Sequence, residues 1–112
     1  MTVAFELDGQ KFTALNGGPV FKFNEAVSLQ VNCSNQEEID YYWDKLSKEG
    51  DPKAQQCGWL KDKYGLSWQI VPRALSEMLA DPRSDKSERV MEALLRMKKL
   101  DLAALERAYA GR

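Results

Sequence analysis

Val27-Ser28-Leu29-Gln30-Val31-Asn32-Cys33 alternates apolar and polar side chains, and the run that follows it, Ser34-Asn35-Gln36-Glu37-Glu38-Ile39, changes period at once. Side chains on a strand point alternately to opposite faces. Residues 26–33 therefore read as a β-strand with Val27, Leu29, Val31 and Cys33 on one side and Ser28, Gln30 and Asn32 on the other. From Ser34 the apolar residues Ile39, Tyr42, Trp43 and Leu46 recur at helical spacing, and Ser34-x-x-Glu37 fits a capping box, so a helix is predicted over 34–48. Gly50 and Asp51-Pro52 stop it. The polar second face of the strand has two readings, a solvated face of an antiparallel sheet or the lining of a wet cavity.

Toward the N-terminus, residues 2–7 and 10–16 alternate around Asp8-Gly9, a pair favoured at the centre of a two-residue hairpin turn. Val3, Phe5 and Leu7 share one face of this hairpin's first arm. Asn16-Gly17-Gly18-Pro19 ends the second arm in a loop. Toward the C-terminus, strands are predicted over 56–61 and 66–71, joined by Asp62-Lys63-Tyr64-Gly65. Ser67, Gln69 and Val71 take one face of the last strand, Trp68 and Ile70 the other. After Pro72 the pattern turns helical: a short helix over 73–80, a longer one opened by Asp85-x-x-Glu88, and a final one capped by Asp101 with Leu102, Leu105 and Tyr109 on one stripe. The stripe of Val90, Met91, Leu94, Leu95 and Met97 reads as core or dimer interface rather than a cofactor box. With no repeats, low-complexity tracts or linkers, the chain reads as one α+β unit spanning 1–112: a hairpin, a βαββ module and C-terminal helices.

A chain of 112 residues can bury roughly 65% of the surface its unfolded form exposes, enough for one modest core. Its 44% hydrophobic and 29% charged content is that of a folded globular protein. Sixteen basic against 17 acidic residues leave a net charge of −1, so no overall field draws it to nucleic acid or an anionic membrane. The start, Met1-Thr2-Val3-Ala4-Phe5-Glu6-Leu7-Asp8, has no basic segment and no long apolar run, and a cytoplasmic location is expected. Cys33 and Cys57 are not in a C-x-x-C motif and read as small buried hydrophobes. The sequence contains no histidine, which removes the ordinary general base near neutral pH, the Ser-His and Cys-His nucleophiles, and the imidazole metal ligand.

The order strand, helix, strand, strand resembles the second module of the vicinal oxygen chelate superfamily, which includes glyoxalases, bleomycin-resistance proteins and extradiol dioxygenases. Three stretches resemble its PhnB-like, 3-demethylubiquinone 3-methyltransferase-like branch. They are Val27–Cys33, the run Gln56-Cys-Gly-Trp-Leu-Lys-Asp-Lys-Tyr-Gly-Leu-Ser-Trp-Gln-Ile-Val-Pro72, and the tail from Arg96 to Gly111. The resemblance implies a curved mixed sheet of glyoxalase-like fold. Family members begin with a strand, a helix and a strand before such a hairpin, so the first module is expected to be incomplete. A sheet left with an open edge and an uncovered apolar face calls for cover, and a homodimer or higher homo-oligomer is expected.

In metal-dependent members of the superfamily the chelating positions hold a histidine early in the module's first strand and a glutamate late in its last. By motif these are Ser28 and Gln69 here, poor ligands for a divalent transition metal, so no metal is expected. No cofactor is expected either: Gly17-Gly18 runs into proline rather than into the glycine-rich strand-to-helix turn that cradles a nucleotide cofactor. In a sheet curled as the resemblance implies, Ser28, Gln30, Asn32 and Gln69 converge on a concave face, with Asn16 from the hairpin and Trp59 nearby, a plausible site for a small polar or aromatic ligand. Lys61-Asp62-Lys63-Tyr64 reads as a solvated turn, with acid–base work by Asp62 or Tyr64 a remote alternative. Three functions follow as expectations: a small-molecule binder without metal, a metal-independent enzyme whose site a partner subunit completes, or a purely structural interaction module.

Overall fold

The computed structural model describes residues 1–111, the Ser84 side chain excepted. Strands β1 (Thr2–Leu7) and β2 (Gln10–Leu15) form an antiparallel ribbon. Asp8 and Gly9 both have positive φ, 50° and 79°, as the mirror-image turn that suits a hairpin's twist requires. The register pairs Val3 with Ala14 and Phe5 with Phe12, which puts the apolar side chains on one face, the two rings stacked at 5.5 Å.

The second sheet comprises β3 (Ser28–Cys33), β4 (Trp59–Lys61) and β5 (Ser67–Pro72) in the order β3-β5-β4. It is mixed, with β3 parallel to β5 and β4 antiparallel to it. Helix α1 (Gln36–Ser47) makes the crossover between β3 and β4, and α2 (Ala74–Leu79), α3 (Ser84–Leu94) and α4 (Leu102–Ala110) follow the sheet. This is the α+β architecture expected, with the hairpin as a sheet of its own.

Local departures from expectation have physical causes. Asn35, not Ser34, caps α1: its Oδ1 accepts from the Glu38 amide at 2.9 Å, while Glu38 Oε1 accepts from the Ser34 amide. β3 ends at Cys33 as expected, its carbonyl accepting from the Arg73 amide at 2.8 Å. The strand predicted over 56–61 is shortened because Cys57 and Gly58 are both left-handed, φ 54° and 85°, their amides donating to the Met97 and Lys98 carbonyls. A Cβ at Gly58 would also come within 3.2 Å of the Ile70 carbonyl oxygen. Helix α3 starts at Ser84, so Asp85 belongs to its first turn and not to its cap. Asp101 caps α4 as expected, accepting from the Ala104 amide.

Ile70 and Val71 are consecutive and face opposite ways, so they lead into two cores. Beneath α1, Cys33, Ile39, Trp43, Leu60 and Ile70 are buried together. On the other side Val71 meets Leu75, Met78, Val90, Leu94, Leu100 and Leu105 of the C-terminal segment. Of the methionine and leucine stripe, Val90 and Leu94 are core, whereas Met91 and Leu95 are exposed. Two polar ties fasten the helices. The Gln36 side chain accepts from the Leu102 amide and donates to the Leu100 carbonyl. The Asp81 carboxylate takes the Arg83 guanidinium fork and the Tyr109 hydroxyl, which hold its carboxyl far below the usual range.

Residues 1–27 put no side chain into either core. Every residue of β1 is exposed, and Phe21 in the following loop is 91% exposed. The radius of gyration is 16.0 Å, against about 13 Å for a compact chain of this length. No helix among the described residues is long and apolar enough to cross a membrane.

Candidate functional site

The strand register assembles one polar face of the second sheet. In the first row Ser67 of β5 lies between Lys61 of β4 and Ser28 of β3; in the next, Gln69 lies between Trp59 and Gln30. The Gln69 amide nitrogen donates to Ser28 Oγ at 2.9 Å, joining the two positions that the sequence pattern paired. Toward the free edge of β3, Gln30 Nε2 donates to Asn32 Oδ1 at 2.8 Å. Ser28, Gln69 and Trp59 are thus brought together, with Gln30 and Asn32 continuing the same face. Asn16 is not part of it. It follows the exposed ribbon, its amide donating to the Met1 carbonyl.

Two hollows flank the face. Trp59 lines a cavity of about 390 Å³ with Glu25, Ala54, Gln56 and Cys57. Gln30 and Asn32 reach a cleft of about 610 Å³ at the sheet edge, closed by Leu7 and Phe12 of the ribbon and Tyr42 of α1.

Three residues outside the expected set belong to this face. Ser67 is 1% exposed, and its Oγ has no hydrogen-bond partner among the described residues. Its place follows from alternation, two residues before Gln69 on the same strand. Lys61 shares the face for the same reason, although its neighbours in sequence make it look like part of a turn. Glu25 pairs with Lys61, and the lysine's hydrogen bond lowers the Glu25 carboxyl below its ordinary value. Nothing in the local sequence marks Glu25.

The other candidates take structural parts. Asp62 Oδ1 accepts from the Tyr64 and Leu66 amides, and Oδ2 from the Trp68 indole at 3.0 Å, so this carboxylate folds the turn. Tyr64 is exposed, under the Lys63 ammonium. Cys33 is buried, which pushes its thiol up to about 11, and both cysteines are free.

The donor set does not fit a chelated metal. Ser28 and Gln69 are neutral and already bonded to each other, and no group of three or more cysteine, aspartate or glutamate side chains able to hold an ion gathers among the described residues. Nor does either turn leading straight from strand to helix, Ser34-Asn35 after β3 or Arg73 after β5, contain a glycine to cradle a nucleotide cofactor.

A family model described as 3-demethylubiquinone-9 3-methyltransferase matches residues 1–71. The chain belongs to this family. Its PhnB-like, glyoxalase-type character is seen again in a solved structure, the PhnB protein from Bacillus cereus, whose description carries the same methyltransferase wording. That protein is 36% identical to this one, with a TM-score of 0.55; the match covers 64% of this chain and 64% of that chain. No curated protein matches the sequence. The matched region of this PhnB-like protein ends at Val71, so the polar face lies inside it and the C-terminal helices beyond it.

Proposed function

We propose that this PhnB-like protein binds a small polar or aromatic molecule, without a metal, on the face built by Ser28, Ser67, Gln69 and Trp59, and that it works as a homodimer or higher homo-oligomer. The Ser67 hydroxyl carries the reading of the site. More than about 90% of buried polar groups in folded proteins are hydrogen-bonded, and an unpaired one costs about 1–3 kcal/mol. A ligand or an ordered water is the natural partner for a group so placed, and the neighbouring amides, hydroxyls and indole offer a small molecule both polar contacts and an apolar wall.

The oligomer rests on a separate observation. Val3, Phe5 and Leu7 on the ribbon and Phe21 and Phe23 after it are exposed close together in sequence, and β3, which lines one cleft with Leu7, has an unpaired edge. A second copy would cover both. A cytoplasmic location is supported by two cysteines that are not joined in a disulfide.

A thermal-shift screen with divalent metals, neutral and charged aromatic molecules, and thiols tests the site. The expected result is a ligand-specific rise that Gln69→Leu and Ser67→Ala abolish, with no rise from metals alone. Turnover of any hit would make the protein an enzyme, and silence across the screen beside firm self-association would leave only an interaction module. Sedimentation showing a stable monomer at micromolar concentration would sink the oligomer.

A further inference from the structure

We propose that the ligand of this face carries an oxyanion, a carboxylate or a phosphate, which displaces the Glu25 carboxylate from Lys61. The proposal rests on the polar face being the binding site and names the class of molecule it takes. The row of Ser28, Ser67 and Lys61 holds donors. Ser28 Oγ accepts from Gln69, so its own hydroxyl hydrogen is free to donate. The Ser67 hydroxyl is unspent. Across the strand from Ser67, Lys61 brings an ammonium with three hydrogens, and Glu25 is its ion-pair partner.

The two halves of that pair are unequal. The Lys61 side chain is 25% exposed and fixed in a strand, whereas Glu25 is 66% exposed on the turn before β3. An ion pair with a mostly exposed partner is weakly held, and a loop carboxylate can swing away. What stays behind is a cation and two hydroxyls in one row across three strands, a span of about 10 Å at ordinary strand spacing. One oxyanion head fits against adjacent members of that row. The next row starts with Trp59, which gives the uncharged body of the ligand a surface to lie on. Hydrogen bonds to charged groups are roughly twice as strong as neutral ones, so the row favours an anion over a neutral isostere.

Calorimetric titration of the full chain with benzoate, phenyl phosphate and neutral benzamide decides the matter, with tryptophan fluorescence as a second readout and circular dichroism as a check on folding. At least one anion is expected to bind about 10-fold more tightly than benzamide, the step in affinity that a charge-assisted bond brings over a neutral one. Which anion does so identifies the head group as carboxylate or phosphate. Lys61→Met is expected to remove the preference for the anion over benzamide. Glu25→Gln, a change on an exposed loop, is expected to tighten the anion by about 3-fold or more, because it removes the resident competitor. Benzamide binding as tightly as both anions, or Glu25→Gln weakening the anion, overturns the assignment and leaves the site standing. If none of the three probes binds, the site falls together with it.

Discussion

Val3-Ala4-Phe5-Glu6-Leu7 and Ser28-Leu29-Gln30-Val31-Asn32-Cys33 alternate almost equally well, and both form strands, yet they end in opposite surroundings. The apolar row of β3 meets α1 and runs down to the buried Cys33. The apolar face of β1 meets Phe12 and Ala14 of its own hairpin and little else in this chain. Period-two patterning therefore says which side chains share a face. Burial takes a second element, and for β3 that element is the helix that follows directly, whereas the ribbon has none packed on it. An isolated two-stranded hairpin is marginal in water. The ribbon is thus the part of the molecule with the least packing to stabilise it.

The contrast is broken most directly by matched truncations. Ile70 is fully buried in the core beneath α1, and Ile70→Ala is expected to cost about 2–5 kcal/mol in urea unfolding. Val3 is half exposed, and Val3→Ala is expected to cost less than about 0.5 kcal/mol at low protein concentration, as surface substitutions do. Repeating both at high concentration sharpens the comparison. If a second copy covers the ribbon, the cost of Val3→Ala grows with concentration while the Ile70→Ala cost, within one chain, moves little. Equal costs at low concentration would show that the ribbon is packed within the chain after all.

Glycine gives a second matched pair. A Cβ at Gly50 would lie 2.0 Å from the Lys61 carbonyl oxygen, because the chain leaving α1 passes directly against β4. Gly50→Ala is expected to destabilise by about 1–3 kcal/mol, the range for forcing atoms into a packed site. At Gly17, in the loop after the ribbon, the nearest atom would be a Leu15 methyl carbon at 3.8 Å, an ordinary contact. Gly17→Ala is expected to be neutral, or to stabilise by up to about 1 kcal/mol through the unfolded chain. Thermal unfolding of the two variants reads both signs.

Much of the fold was legible because local chemistry and tertiary packing agree. Asp8-Gly9 demands a hairpin, Asp101 caps the last helix, and the polar face of 28–32 follows from alternation alone. The site was legible in part. Ser28 and Gln69 are hydrogen-bonded neighbours as the motif positions imply, and Trp59 falls beside Gln69 through the β4–β5 register. What stayed hidden depends on contacts distant in sequence. Lys61 reads as one of a run of charges until β4 is set against Ser67. Glu25 is invisible until the loop before β3 folds against that lysine. Asn16 illustrates the converse, a residue assigned to the face by family pattern whose strand belongs to the separate ribbon. The shortened β4 has the same origin: Gly58 hints at a break, but the amide bonds to Met97 and Lys98 that hold the turn come from a segment far along the chain.

The smallest effect concerns the junction where the deciding stretch passes from strand to helix. Ser34 and Asn35 are both capping types, and local sequence cannot rank them. In the structure Asn35 has the extended backbone of a cap, and its carboxamide oxygen satisfies the Glu38 amide, one of the donors a helix start leaves free. Ser34 contributes its backbone amide, to Glu38. Asn35→Ala is therefore expected to cost about 1 kcal/mol, whereas Ser34→Ala should stay within about 0.5 kcal/mol, since the bond it makes does not use its side chain. The same loss at Ser34 as at Asn35 would return the cap to the serine and end β3 one residue earlier. That would pull Cys33 away from the Arg73 amide, and the anchoring of β3 to the chain leaving β5 would need another explanation.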